Sequence, residues 1–260
     1  MPVLYWARSC LTYVFNAETF FRMPRGEPFV RQVFATSYQT WADVGCGTTP
    51  AAPFRVEQAA GTTTTSTTEF LYDQPNEAIV VLRTGEEWSR LPDHDSNALA
   101  LTLLWHDKKT GEILDVDMEL NGGSGTFTDC AVDACTVASN MKVDLQNTVT
   151  HEAGHLLGLG HSTARGSTME ASTTRSGEQE KRNLEPDDEA GYCSLELPTG
   201  PCPTCACEPA PVFPSRRSVS NCSCSSVSAA STPAARWIAL GTGVVALGLI
   251  GRRHRRRQRQ

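Results

Sequence analysis

Positions 151 to 161 read His151-Glu152-Ala153-Gly154-His155-Leu156-Leu157-Gly158-Leu159-Gly160-His161, three imidazoles and one carboxylate within eleven residues. On a helix turning about 100° per residue, His151 and His155 stand about 40° apart, so both rings can reach one ion. Leu145, Val149, Ala153 and Leu156 gather on the opposite side and would bury the helix in a core. Gly158 can end that helix in a conformation other residues resist, turning the chain so that His161 arrives as a third ligand. Three nitrogen ligands with a fourth position left open describe a catalytic zinc site. Glu152 adjoins the first ligand without being needed as one, which leaves it able to act as a base toward water. With 6 His and 20 Gly in 260 residues, the full H-E-x-x-H-x-x-G-x-x-H spacing arises by chance with a probability on the order of 10⁻⁵. That sets aside an ordinary core helix with surface histidines. A purely structural zinc would want a fourth protein ligand and would give Glu152 no task.

The elements that must position this motif read as a mixed α/β domain over residues 1–197. Leu11 to Phe15 alternate like a strand. A helix follows over 27–44, with Val30, Val33, Phe34 and Trp41 on one stripe, and Gly45-Cys46-Gly47 stops it. Strands are expected over 54–57, 78–82, 98–104 and 112–120. The Thr-rich run 61–68 reads as a solvated loop.

The motif, with Ser162 directly after His161, resembles the metzincin metallopeptidases, and within them the matrixin group. Ser167-Thr168-Met169-Glu170 resembles the Met-turn of that family, which implies that Met169 lies beneath the metal site. The stretch from Leu184 to Tyr192, with Glu185-Pro186-Asp187-Asp188, resembles the family's closing helix. Trp41 and the stretch 111–121 fit its helix and edge-strand region. The resemblance spans most of 4–197 and implies a twisted, mostly parallel five-stranded sheet, with the active-site helix below a cleft. It implies peptide-bond hydrolysis in protein or peptide substrates, with zinc held by His151, His155 and His161. Two features depart from the family. Nothing before residue 10 resembles its inhibitory propeptide, and its structural zinc site has no evident counterpart, so His94 and His106 read as surface residues. Asp115, Asp117 and Glu119 could supply oxygens to calcium, as carboxylates do in that part of related folds, or form an alternating acidic strand face.

The net charge of −6 hides an asymmetry, because six of the 23 basic residues lie in the last nine positions. The remainder carries 17 basic against 29 acidic residues, and an acidic body argues against nucleic acid as a partner. Ten cysteines point to an oxidising, extracytoplasmic compartment. Cys10–Cys46 is the first disulfide expected and Cys130–Cys135 the second. Met1 to Asn16 carries no secretory signal, so the natural start is expected upstream.

Beyond residue 197 the composition changes. Prolines, serines and cysteines over 198–233 describe a linker, with local disulfides favoured over a metal knot in Cys202-Pro203-Thr204-Cys205-Ala206-Cys207. Trp237 to Ile250 is an uncharged run of 14 residues, about 21 Å as a helix and short of a bilayer core of roughly 30 Å. An Arg cluster over 252–260 follows it. Asn221-Cys222-Ser223-Cys224, the apolar segment 234–251 and the Arg cluster together resemble C-terminal sorting signals of myxobacterial-type surface proteins. The resemblance implies membrane association through this segment, processing by sorting machinery, and a location at the cell surface. The expected activity is therefore zinc-dependent endopeptidase action on extracellular proteins, the rival being a catalytically silent surface-binding module on the same scaffold.

Overall fold

Strand β1, Cys10–Asn16, turns Leu11, Tyr13 and Phe15 inward and leaves the alternate residues toward the other face. It pairs in parallel with β2, Arg55–Thr63, on one side and with β3, Ala78–Arg83, on the other. Strand β3 pairs in parallel with β5, Ile113–Asn121, and β4, Ala100–His106, runs antiparallel to β5. The order β2-β1-β3-β5-β4 is the expected five-stranded, mostly parallel sheet. Strands β2 and β4 form the two edges, and the stretch 111–121 supplies the strand beside β4. The computed structural model describes residues 3–8, 10–47, 54–70, 76–135, 142–172, 177–195 and 197–198. All of these lie in one compact unit, Met1–Ser225. The linker, the apolar segment and the Arg cluster expected beyond residue 198 lie outside the described residues, and among those described no helix is long and apolar enough to cross a membrane.

Two helices cover the inner face of the sheet. Helix α1, Ala17–Arg22, is short, and helix α2, Gly26–Ala42, buries Val30, Val33, Phe34 and Trp41, the stripe expected from the sequence, together with Tyr38. Helix α3, Gly85–Arg90, is held by a capping box between Thr84 and Glu87. Helix α4, Leu145–Leu157, follows a two-stranded ribbon of β6, Thr126–Thr128, and β7, Lys142–Asp144. Leu145, Val149 and Ala153 of α4 are fully buried, and Leu156 nearly so, against side chains from α2 and the sheet. Helix α5, Pro186–Ser194, closes the unit.

Two expectations are corrected. Cys46 is bonded to Cys193 rather than to Cys10, because the end of α2 lies against α5, where Trp41 and Tyr192 have ring centroids 6.0 Å apart. Cys10 is buried at the start of β1, in register with Arg55. The Cys130–Cys135 bridge forms as expected. The Thr-rich run is not a solvated loop throughout. Gly61 to Thr63 complete β2, and Thr68 is buried with its hydroxyl on Glu119. β-Branched threonines suit a pleated strand, and a buried carboxylate recruits the hydroxyl.

Candidate active site

Helix α4 starts where the Asp144 carboxylate accepts from the Asn147 N–H at 2.8 Å, and it ends where Gly158 takes φ 109°. That left-handed cap reverses the chain, as the sequence suggested, and carries His161 back toward the helix. Two indoles satisfy carbonyls of α4: Trp41 Nε1–H donates to Thr150 O at 2.8 Å, and Trp6 Nε1–H to Leu156 O at 2.9 Å. A one-sided apolar helix is thus fixed in rotation by tryptophans whose own polar atoms require partners.

His151, His155 and His161 converge, each offering a ring nitrogen within 4.8 Å of the others. The Nδ1 of His151 lies 2.6 Å from Thr168 O, and the Nδ1 of His155 lies 2.8 Å from Leu159 O. A carbonyl can only accept, so both rings carry their proton on Nδ1 and turn the Nε2 lone pair inward. His155 Nε2 and His161 Nε2 stand 3.1 Å apart. That is close to the separation of about 3.3 Å between nitrogens that share a tetrahedral zinc at about 2.0–2.1 Å each. The donor set therefore fits zinc. Burial pushes His151 down to about 3, with the neighbouring His155 acting in the same direction, and burial also lowers His155 and His161. Neutral imidazoles are the ligating form.

Glu152 is 5% exposed, and its Oε2 accepts from Thr102 Oγ1 on β4 at 2.7 Å. Burial pushes its carboxyl up to about 7 against the opposing pull of that hydrogen bond. Met169 is buried beneath the helix, with its sulfur packed against the Gly154 backbone. Its turn is clamped by α5, for the Asp188 carboxylate accepts from Thr168 N at 2.7 Å and from Met169 N at 2.9 Å. On the other side Ser162 N donates to Met169 O at 2.8 Å, which ties the residue after His161 to the turn. Lys181 is 4% exposed and donates through Nζ to Glu170 O.

A family model described as Matrixin matches residues 5–195, which takes in every element above. The chain belongs to the matrixin family. That family comprises zinc metallopeptidases, in keeping with the three-histidine cluster. No curated protein matches this sequence.

Other residues singled out in this matrixin sequence are placed differently. Asp115, Asp117 and Glu119 do alternate on one face of β5, but that face is covered, with exposures of 4%, 3% and 0%. Glu119 accepts from Arg83 Nη2 at 2.8 Å, from Thr68, and from His94 Nε2 at 3.0 Å. Burial works to raise its carboxyl, but the bonds from Arg83 and Thr68 outweigh it and hold the group below its usual value. Asp117 accepts from the Ile79 N–H at 2.8 Å, and burial pushes it up to about 8 and Asp115 up to about 6. Among the described residues, only the histidine trio brings three donor atoms together, so the carboxylates considered for calcium have not converged on one point. His94 is corrected from surface residue to buried partner, its side chain being 7% exposed. His106 is half-buried, with Nδ1 3.2 Å from Asp107 O.

Sequence reasoning singled out the three histidines that converge, together with Glu152 and Met169, but missed Thr102 and Lys181, and it read Thr168 and Asp188 only as parts of longer motifs. Asp188 had a visible signal, since Asp188 lies at the third position of a helix opened by Pro186. Thr102 had none, because a threonine in a strand is unremarked.

Proposed function

We propose that this chain is a zinc-dependent endopeptidase, with His151, His155 and His161 holding the metal and Glu152 serving as general base. The observation that carries the reading is the convergence of three imidazole nitrogens beside a buried carboxylate. When bound, zinc supplies a Lewis acid that polarises the scissile carbonyl and makes water more acidic. The chain's own part is to orient and to move a proton. Glu152 takes the proton of the attacking water on Oε1, since Oε2 is occupied by Thr102, and then releases it to the leaving nitrogen. Met169 serves as packing under the metal site and not as a ligand.

Strand β4 lies at the sheet edge, and the backbone groups on its outer side suit an extended peptide adding as a further strand. A substrate laid there passes close to Glu152, because Thr102 in the same strand touches it. The disulfides Cys46–Cys193 and Cys130–Cys135 support work outside the cytoplasm. Retention at the cell surface through 234–260 rests on the sequence pattern alone. Calcium at Asp115, Asp117 and Glu119 would require Asp117 to release the Ile79 N–H and Glu119 to release Arg83.

The test is hydrolysis of a quenched peptide library by the purified zinc-loaded chain and its variants. Glu152→Gln should keep zinc, as three imidazoles remain, and should lose roughly 10²–10⁴-fold in rate. His155→Ala should lose the metal. Near wild-type cleavage by Glu152→Gln would remove Glu152 from the role of base.

A further inference from the structure

Thr102 is an ordinary residue for its place, a β-branched side chain in the middle of β4, in register with Met118 of β5. Its inward side chain faces α4, and there it meets the one residue of that helix with an acid–base task. The hydroxyl lies 2.7 Å from Glu152 Oε2 and 3.1 Å from the Glu152 main-chain oxygen. A threonine hydroxyl has a single proton, and the shorter, charge-assisted contact takes it. Threonine has few χ1 choices in a strand, so the donor position is set by the β4 backbone. One carboxylate oxygen is thereby fixed and the other is left for chemistry.

We infer that Thr102 is a positioning residue for Glu152, holding its carboxylate in the orientation that accepts a proton from water and coupling it to the edge strand on which a peptide would lie. The consequence is directional. A peptide adding to β4 presses on the strand that carries the hydroxyl, so docking and alignment of the base share one rigid element. The competing account is that Thr102 only fills space between the sheet and α4. On that account valine, of the same shape and with a strong strand preference, serves equally well.

The inference rests on the peptidase reading, and its test separates the two. In the full-length zinc-loaded chain, Thr102→Val, Thr102→Ser and wild type are compared for kcat, KM, zinc content and thermal midpoint. Removing a hydrogen bond to a charged group from the reacting carboxylate should lower kcat roughly tenfold to a hundredfold in Thr102→Val. KM and bound zinc should stay within twofold, and Thr102→Ser should recover most of the rate. Equal kcat in Thr102→Val and wild type overturns the inference and leaves the peptidase reading intact. A Thr102→Ser protein as slow as Thr102→Val, or a parallel loss of zinc and thermal midpoint in Thr102→Val, also overturns it, since packing would then account for the effect. Wild-type chain that holds zinc and cleaves nothing overturns both.

Discussion

Gly154 lies in the middle of α4, where helix propensity alone argues for replacement by alanine, with an expected gain of about 1 kcal/mol. The structure argues the opposite. A Cβ built on Gly154 would lie 2.2 Å from Met169 Sδ, 2.8 Å from Trp41 Cζ2 and 3.1 Å from Met169 Cε. Ordinary contacts begin about 1 Å further out than the shortest of these. Trp41 is 1% exposed and is pinned by its bond to Thr150 O, so the indole cannot retreat. Met169 has a flexible side chain, but it is 2% exposed and its main chain is held on both sides, by Asp188 and by Ser162. Overpacking a filled core costs about 1–3 kcal/mol, and a contact as short as this belongs at the upper end of that range, which offsets the propensity gain and leaves Gly154→Ala less stable by up to about 2 kcal/mol. For a unit of this size the thermal midpoint should fall by up to roughly 8 °C. Calorimetry or circular dichroism on the zinc-loaded protein measures it. In a Met169→Ala background the same substitution should cost less, because two of the three close contacts are gone. A Gly154→Ala protein more stable than wild type would refute the reasoning, since propensity and not packing would then govern this position.

Other perturbations follow from the covered acidic strand and from the disulfide. Asp117 holds its proton up to about 8 in the folded chain but releases it near 4 when unfolded, so the folded form binds more protons between these values. Its contribution to stability is therefore greatest below pH 4 and declines as pH rises toward 8, by about 1.4 kcal/mol per unit. Asp117→Asn, which keeps an acceptor for Ile79 N–H, should remove that slope; chemical denaturation at pH 5, 6 and 7 should show the variant gaining on wild type at each step. Cys193→Ser opens a loop whose ends are 147 residues apart, and the chain-entropy estimate puts the loss at as much as about 5 kcal/mol. An unchanged denaturation midpoint for Cys193→Ser would show that the α2–α5 contact holds without the bond.

How far the sequence could be read depended on whether a residue's role was local. His151 and His155 share a helix turn, and Gly158 acts on its own backbone, so spacing alone placed them. The stripe Val30, Val33, Phe34 and Trp41 was equally local, and α2 came out within two residues of its expected ends. Pairing across distance was not readable. Cys46 had nine possible partners by composition, and only the approach of α5 to the end of α2 selects Cys193. The alternation of Asp115, Asp117 and Glu119 was correctly seen as one face, but alternation cannot tell which face is wet. Thr68 and His94, from segments on either side of β3, cover Glu119. His94 was judged by its lack of ligand-spaced neighbours, a criterion blind to a single buried carboxylate 25 positions away.

The same division runs through the active site and explains its construction. Neutral histidines and a buried carboxylate are favourable for metal binding and proton transfer, and each is unfavourable to bury without a partner. The partners are therefore part of the chemistry, and none of them comes from the motif's own first turn. His151 is oriented by Thr168 O, which belongs to a turn held by Asp188 of α5. Glu152 is met by Thr102 of β4, and the helix carrying both is fixed in rotation by Trp41 of α2 and by Trp6. Substitution at Asp188 should thus act on the metal site without touching it, through Thr168 and the ring of His151. The three histidines can be read from eleven consecutive residues, but of the groups that orient the site only Leu159 O lies among them, and the others come from α2, β4, α5, the turn at Thr168 and the segment around Trp6.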